Sequence, residues 1–412
     1  MSAVALRVPR WQKTFTALKY PNFRLWFFGQ IISLFGTWMQ NTAQGYLIYE
    51  LTRSPAFLGY VGVAAGLPSW LFMLYGGVIA DRISRRKLMV YTQTAMMLLA
   101  FILAGLVFTN LVRPWHILVL AFALGVANAF DAPARLALIP ELVEREDLTN
   151  AIALNGTMFN LATIIGPAAG GLIYAWFGPG WCFTINAVTF LAVIAALLLM
   201  QLGEPRQRVR HAPPLADMVE GMRFVIGSRV VRALIIVLGM TTLFGFSFVN
   251  LLPAWAVDVL GGDAATNGWL RSAQGVGALI SALAIASLGR FNYRGKLLTI
   301  GTFAFPSMLL VFSLVNVVPL ALLGIACVGG AVVLIMNLAN SLVQDNVPDE
   351  MRGRVMSIYS LTFFGSMPVG AFVLGQIAEH ASEALALQVG ALCMLGCAFL
   401  VYLLAPRVRR LE

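Results

Sequence analysis

Charge is scarce in this chain: 11% of its 412 residues are Asp, Glu, Lys or Arg, where a soluble domain carries about 25%. With 59% of the residues hydrophobic, water is excluded as the solvent for most of the molecule. Histidine is nearly absent, and His116, His211 and His380 stand apart, without an HExxH spacing or paired carboxylates. Together with the lack of any nucleophile-base pattern, this speaks against an enzyme. Four cysteines, Cys182, Cys327, Cys393 and Cys397, fall in or at the ends of apolar runs with no metal-ligand company, so buried thiols are expected, with neither a metal site nor a disulfide framework. No GxxxxGK[ST] phosphate loop occurs, which removes ATP as a direct energy source and leaves no expected cofactor. The first 22 residues lack an apolar core and a small-residue cleavage site, so no signal peptide is expected.

What the chain has is apolar length. A membrane helix needs roughly 20 mostly apolar residues, and spans are expected at 24–50, 55–80, 88–110, 115–138, 151–176, 181–202, 231–258, 266–289, 297–316, 319–342, 354–379 and 384–405. The fold class is therefore an all-α integral membrane protein with twelve transmembrane helices in two six-helix bundles. The expected divisions are a tail at 1–22, a first bundle at 23–202, a linker at 203–230, a second bundle at 231–405 and a tail at 406–412. Net charge is +10, yet of 28 basic residues all but Arg53, Arg113 and Arg271 fall on one side of this topology. That asymmetry puts both termini in the cytoplasm. The positive charge thereby meets anionic lipid headgroups, and no aromatic-interleaved basic patch argues for nucleic acid.

In the linker, Leu215, Met218, Val219, Met222, Val225 and Ile226 recur at helical spacing against Asp217, Glu220 and Arg223. This predicts an amphipathic helix at the membrane surface, with a solvated linker as the other reading. The halves are weakly repeated: one offset sets Arg85 over Arg294, another sets Gly166 and Gly171 over Gly370 and Gly375.

Between the second and third spans the chain reads GGVIADRISRRK, from Gly76 to Lys87. This resembles the signature loop of the major facilitator superfamily, with Ser84 where that family usually has glycine. The resemblance implies a two-bundle monomer working by alternating access. It also implies a latch that closes the cytoplasmic side in the outward-facing state, formed by Gly77, Asp81, Arg82, Arg85 and Arg86. A topological anchor of stop-transfer cations is the plainer reading. In span five, Gly166, Pro167, Gly170 and Gly171 form GPAAGG, which lets helices pack closely around a bend. It resembles the core of the antiporter and exporter motif of the superfamily, although Gly156 and Ala162 depart from the upstream glycine spacing. Packing alone also accounts for it.

Span four places Asn128, Asp131 and Arg135 on one helical face. Ionisable groups inside a membrane are costly and normally face the bundle interior or water, so Asp131 and Arg135 are the candidates for proton coupling. Burial favours the neutral carboxyl and a nearby arginine favours the carboxylate. Asp131 as a titrating group and Asp131 as a fixed partner of Arg135 or Arg85 both stand. Span ten repeats the spacing with Asn337, Asn340 and Gln344. Gln40, Asn41, Gln44 and Asn250, with Asn128, Asn337 and Asn340, are the candidates to line a substrate cavity; helix-to-helix hydrogen bonding is the commoner role of such residues. Trp38, Met39, Tyr46, Phe244, Phe248, Phe363, Phe364 and Met367 offer an adaptable apolar wall, or ordinary packing.

The stretch from Phe130 to Gly171, FDAPARLALIPELVEREDLTNAIALNGTMFNLATIIGPAAGG, narrows the resemblance to the bacterial transmembrane secretion effectors. These include enterobactin-exporter-like and macrolide-efflux-like proteins of the inner membrane. The resemblance implies a proton-coupled exporter of an amphiphilic small molecule, such as a drug or siderophore, with protons and membrane lipids as its other partners. A facilitator or proton symporter for uptake of a polar nutrient differs only in cavity chemistry and coupling, and it remains the alternative.

Overall fold

The computed structural model describes residues 15–201, 214–288 and 292–411. The tail up to residue 14, linker residues 202–213, residues 289–291 with Arg290 among them, and the last residue lie outside the described residues. In the first bundle, α1 is Pro21–Thr52, α2 Pro55–Arg82, α3 Arg85–Phe108, α4 Pro114–Leu142, α5 Leu148–Phe177 and α6 Pro179–Leu199. A linker helix, α7, covers Pro214–Gly227. The second bundle holds α8, Arg229–Met240 with an irregular continuation to Val259, then α9 Ala264–Leu288, α10 Arg294–Phe312, α11 Val318–Asp345, α12 Asp349–His380 and α13 Glu383–Leu404.

Proline opens α1, α2, α4 and α6, where its missing N–H is one the helix would leave unpaired anyway. Gly178, at φ +86°, supplies the left-handed turn between α5 and α6. Among the described residues, eleven of the spans are long and apolar enough to cross a membrane. The remaining long helix, α1, runs for 32 residues, but Gln30, Ser33, Thr37, Gln40, Asn41, Thr42 and Gln44 interrupt its apolar sequence. Of these, Gln30, Ser33, Thr37, Gln40 and Asn41 line a polar pocket inside the first bundle.

Because each bundle has an even number of spans, the start of α1, the end of α13 and α7 lie at one end of the molecule, the linker end; the other is the distal end. The two halves mirror each other in their contacts. At the foot of α3, Arg85 pairs with Glu141 at the end of α4, and at the foot of α10 Arg294 pairs with Asp345 at the end of α11, Nη1 to Oδ2 2.7 Å. The bundles meet along two seams, α2 against α12 and α5 against α9. Both seams belong to the distal half. Gly375 faces Pro55 and Gly59, Gly66 faces Pro368, Gly171 faces Ala264 and Gly268 faces Pro167. The apolar core records the same asymmetry: the distal part of the first bundle, including Leu47, Ile48, Leu58, Ile117 and Phe183, is continuous with the second bundle. Its linker-end part, from Phe23 to Met200, forms a core of its own. Distally the bundles are welded, and toward the linker end they separate.

Two expectations change. The seventh span is not one regular helix. After Met240 it passes through π-helical Thr241–Phe246, 3-10 Ser247–Leu251, a short α-turn and π-helical Trp255–Val259. Gly370 brings α12 onto the Leu243 carbonyl, the Ser247 hydroxyl lies 2.9 Å from Thr242 O and 2.8 Å from Met367 O, and Pro253 has no N–H to donate. The thiols also differ from expectation: Cys182 is buried, whereas Cys327 and Cys393 are exposed and Cys397 is half-buried. They share faces with exposed Leu320, Leu323, Leu392 and Leu400, where a small apolar thiol is at home in lipid.

Helix α7 is amphipathic, but its acids turn inward. Arg354 at the foot of α12 holds Asp217 through Nε and Glu220 through Nη1, both at 2.8 Å, while Val219, Met222 and Ile226 stay exposed. Such a face suits the headgroup boundary.

Candidate functional site

The polar face of α1 meets α3, α4 and α6 inside the first bundle. The meeting leaves a pocket lined by Gln30, Ser33, Thr37, Gln40, Asn41, Gln93, Asn128, Asp131, Arg135 and Asn186 among others. Its volume, counted as space for water centres, is ≈ 40 Å³. About 10–15 Å³ holds one water, so a few waters fit.

Asp131 is 2% exposed and lies at the pocket wall. Its Oδ1 accepts from Thr92 Oγ1 at 2.8 Å and from Gln93 Nε2 at 2.9 Å, both on α3. Among the described residues it forms no ion pair with Arg135 or Arg85. The carboxylate is therefore held by neutral donors. Across the pocket, Asn186 Nδ2 donates to Gln40 Oε1 at 2.6 Å. Gln30 Oε1 and Gln93 Oε1 are buried with no protein partner, two acceptors that bound waters would satisfy. Asn41 and Asn128 are exposed at the mouth, so the pocket opens toward the space between the bundles.

Five of the sequence candidates thus converge: Gln40, Asn41, Asn128, Asp131 and Arg135. The others lie elsewhere. Gln44 is buried nearer the distal end of α1. Asn250 belongs to the irregular part of α8, its Nδ2 donating to Ser247 O at 3.1 Å beside Gly62 of α2. On α11, Gln344 Nε2 donates to Asn340 Oδ1 at 2.6 Å, and Asn337 is exposed. The residues that sequence reasoning missed are Gln30, Thr92, Gln93 and Asn186. Each is a lone polar group or pair in an apolar run, and the Thr92-Gln93 pair is the most conspicuous of them.

For the latch, Gly77, Asp81 and Arg82 belong to α2, and their side chains lie outside the described residues. Arg85 is committed to its own bundle, to Glu141 and to Ala137 O at 2.9 Å. Arg86 Nη2 donates to Leu198 O at 2.6 Å. The GPAAGG segment has two faces. A Cβ on Gly166 would lie 2.5 Å from Trp38 Cβ and one on Gly170 2.7 Å from Met39 O, both on α1. One on Gly171 would lie 2.5 Å from Ala264 O on α9. Gly370 and Gly375 play the same parts on α12, toward α8 and α2.

The distal closure adds polar contacts between bundles. Tyr49 of α1 donates to Asp258, the Ser54 hydroxyl and the Ala56 N–H reach Glu379, and Ser272 Oγ donates to Ile164 O at 2.5 Å. Within the first bundle, Tyr174 donates to Glu50.

Comparison with known proteins follows the same lines. A family model described as transmembrane secretion effector matches residues 12–411. The enterobactin exporter EntS of Escherichia coli O1:K1 / APEC is 28% identical over 97% of this chain and 96% of its own length. The protein of the same name from Shigella boydii serotype 4 (strain Sb227) is 27% identical over the same shares. Among solved structures, a POT family transporter in complex with 5-aminolevulinic acid aligns with a TM-score of 0.75 at 11% identity, over 94% of this chain and 96% of that one. The nucleoside transporter NupG aligns at 0.71 with 14% identity, over 94% and 98%. At such identities the structures speak for the fold alone. All of these proteins are transporters, and none is an enzyme.

Proposed function

Since the chain belongs to the transmembrane secretion effectors of the major facilitator superfamily, we propose that it is a proton-coupled exporter of an amphiphilic small molecule. It sits in the bacterial cytoplasmic membrane with both termini inside, and the linker end is the cytoplasmic end. The observation that carries the coupling is Asp131, the carboxylate buried in mid-span in a water-sized polar pocket that opens between the bundles. A transporter welded distally and open at the linker end is inward-facing, ready to load from the cytoplasm. Rocking the bundles would open the distal seams and bring the linker-end helices together, where the α2–α3 loop cluster of Asp81, Arg82, Arg85 and Arg86 acts as the latch. Asp131 takes a proton as the distal side opens and gives it up inward.

A proton crossing about 100 mV supplies about 2.3 kcal/mol, enough for more than a tenfold substrate gradient. The test is uptake into inside-out vesicles with and without an imposed pH gradient, using dyes, macrolides and siderophores. Gradient-driven accumulation with proton counterflow is expected. Movement indifferent to the gradient would make the protein a facilitator.

A further inference from the structure

Arg271 is a basic residue on the distal side of the topology, eighth in α9, about 10 Å along the helix from its distal end at 1.5 Å per residue. A distal surface anchor would point to lipid or water, and this one does neither. The lipid stripe of α9 is Trp269, Val276, Ile280 and Leu283, all exposed. At about 100° per residue, Arg271 projects about 150° away from that stripe, between the face that packs on α5 through Gly268, Ser272 and Gly275 and the face that packs on α11 through Gln274 and Gly277. It points inward, toward Gly45 of α1, where Nη2 lies 3.6 Å from the position a Cβ would take.

There the guanidinium has little company. Nη2 donates to Val249 O at 3.1 Å in the irregular part of α8, and Nε is buried without a partner. Among the described residues no carboxylate forms an ion pair with it. One turn toward the distal end, on the same face, Asn267 is 0% exposed and both its side-chain oxygen and nitrogen lack partners. A half-buried arginine with no counter-ion and a buried, unpartnered Nε, beside a buried amide with no hydrogen bond, is a costly arrangement. Both are explained if a ligand completes them for part of the transport cycle. The rest of the interior points the same way: among the described residues the acids of the spanning helices sit at their ends, Asp131 excepted, and Asp131 is engaged by Thr92 and Gln93. Arg135 at the opposite depth adds a second interior cation.

We propose that Arg271, with Asn267, forms an anion-binding subsite at the head of the space between the bundles, and that the exported amphiphile carries a carboxylate or comparable delocalised anion. The inference rests on the export reading above. A guanidinium fork matches a carboxylate through two parallel hydrogen bonds, and apolar walls would hold the rest of the molecule.

The experiment uses the full chain in proteoliposomes with an imposed pH gradient and two probes with a common xanthene core, anionic carboxyfluorescein and cationic rhodamine 123. Wild type is expected to move carboxyfluorescein with the gradient, Arg271→Gln to lose at least tenfold of that rate, and Arg271→Lys to keep an intermediate rate because it retains charge without the fork. Asn267→Asp places a carboxylate one turn from the arginine, where the two can pair. It is expected to fold normally and to lose carboxyfluorescein transport by a similar factor. Gradient-driven movement of rhodamine 123 without carboxyfluorescein overturns the anion subsite and leaves export standing. No gradient-driven movement of either dye removes both readings. Equal losses for the two dyes in Arg271→Gln, or undiminished carboxyfluorescein transport in it, also overturn the subsite.

Discussion

Replacing Gly171 with alanine tests whether the α5–α9 seam is a conformational joint or permanent packing. The added Cβ would lie 2.5 Å from Ala264 O, 3.0 Å from Gly268 Cα and 3.1 Å from Ala265 Cα, all of them backbone. Ordinary carbon contacts begin near about 3.5 Å, so α9 must retreat by up to about 1 Å, and no side chain can rotate aside. Overpacking of this kind costs about 1–3 kcal/mol. If the distal seam exists only in the inward-facing state, that cost falls on one state, and the balance shifts outward by about 5–150-fold. The assay is the rate at which a membrane-impermeant thiol reagent, added from the distal side, modifies Ser272→Cys in a chain whose native cysteines are replaced. Ser272 is 5% exposed and closed under the seam, so its labelling reports opening. An increase of at least fivefold is expected. Unchanged labelling with unchanged transport would refute the reasoning, because the seam would then have absorbed the methyl in every state.

Three further outcomes follow from the same geometry. Asp131→Asn keeps the shape but cannot carry the proton, so gradient-driven efflux should fall at least tenfold while membrane insertion and substrate binding persist; undiminished efflux would remove Asp131 from coupling. Tyr49→Phe removes the donor to Asp258 across the distal closure, and loss of a hydrogen bond to a charged group, worth about 1.5–3 kcal/mol, should raise Ser272→Cys labelling by about tenfold or more. Arg354→Ala frees α7 from α12 by deleting its two carboxylate contacts; these are partly exposed pairs worth about 0.2–1 kcal/mol each, so the expected result is faster proteolysis in the linker with melting shifted only slightly.

The architecture was open to sequence reasoning because the bilayer imposes a length. A run such as 384–405 has no choice but to span, and the helix is Glu383–Leu404. What the pattern could not supply was company. Asp131 is conspicuous in its own helix, yet its partners Thr92 and Gln93 are ordinary residues of α3, brought near only by packing. Asn340 and Gln344 share the spacing of Asp131 and Arg135, but they hydrogen-bond to each other. The break in α8 was hidden for a different reason: Ser247 and Gly245 are tolerable in any helix, and the cause lies in Gly370 of a neighbouring helix, 125 positions from Gly245 by subtraction of their numbers. Arg271 looked like a boundary marker because charge counting registers which side a residue is on and not which way it points.

The GPAAGG segment has one more consequence. Where Gly171 meets Ala264 and Gly268 meets Pro167, the distal seam is closed by main chain against main chain. Such a join has no rotamers to flicker and leaves no room for a file of waters, so protons have no path to slip inward along it between turnovers. For a proton-coupled exporter as proposed, tightness of this kind would set how much of the gradient is wasted at rest. It also denies a foothold to any inhibitor approaching from the distal end along that seam, which would have to pry the backbones apart before making its first contact.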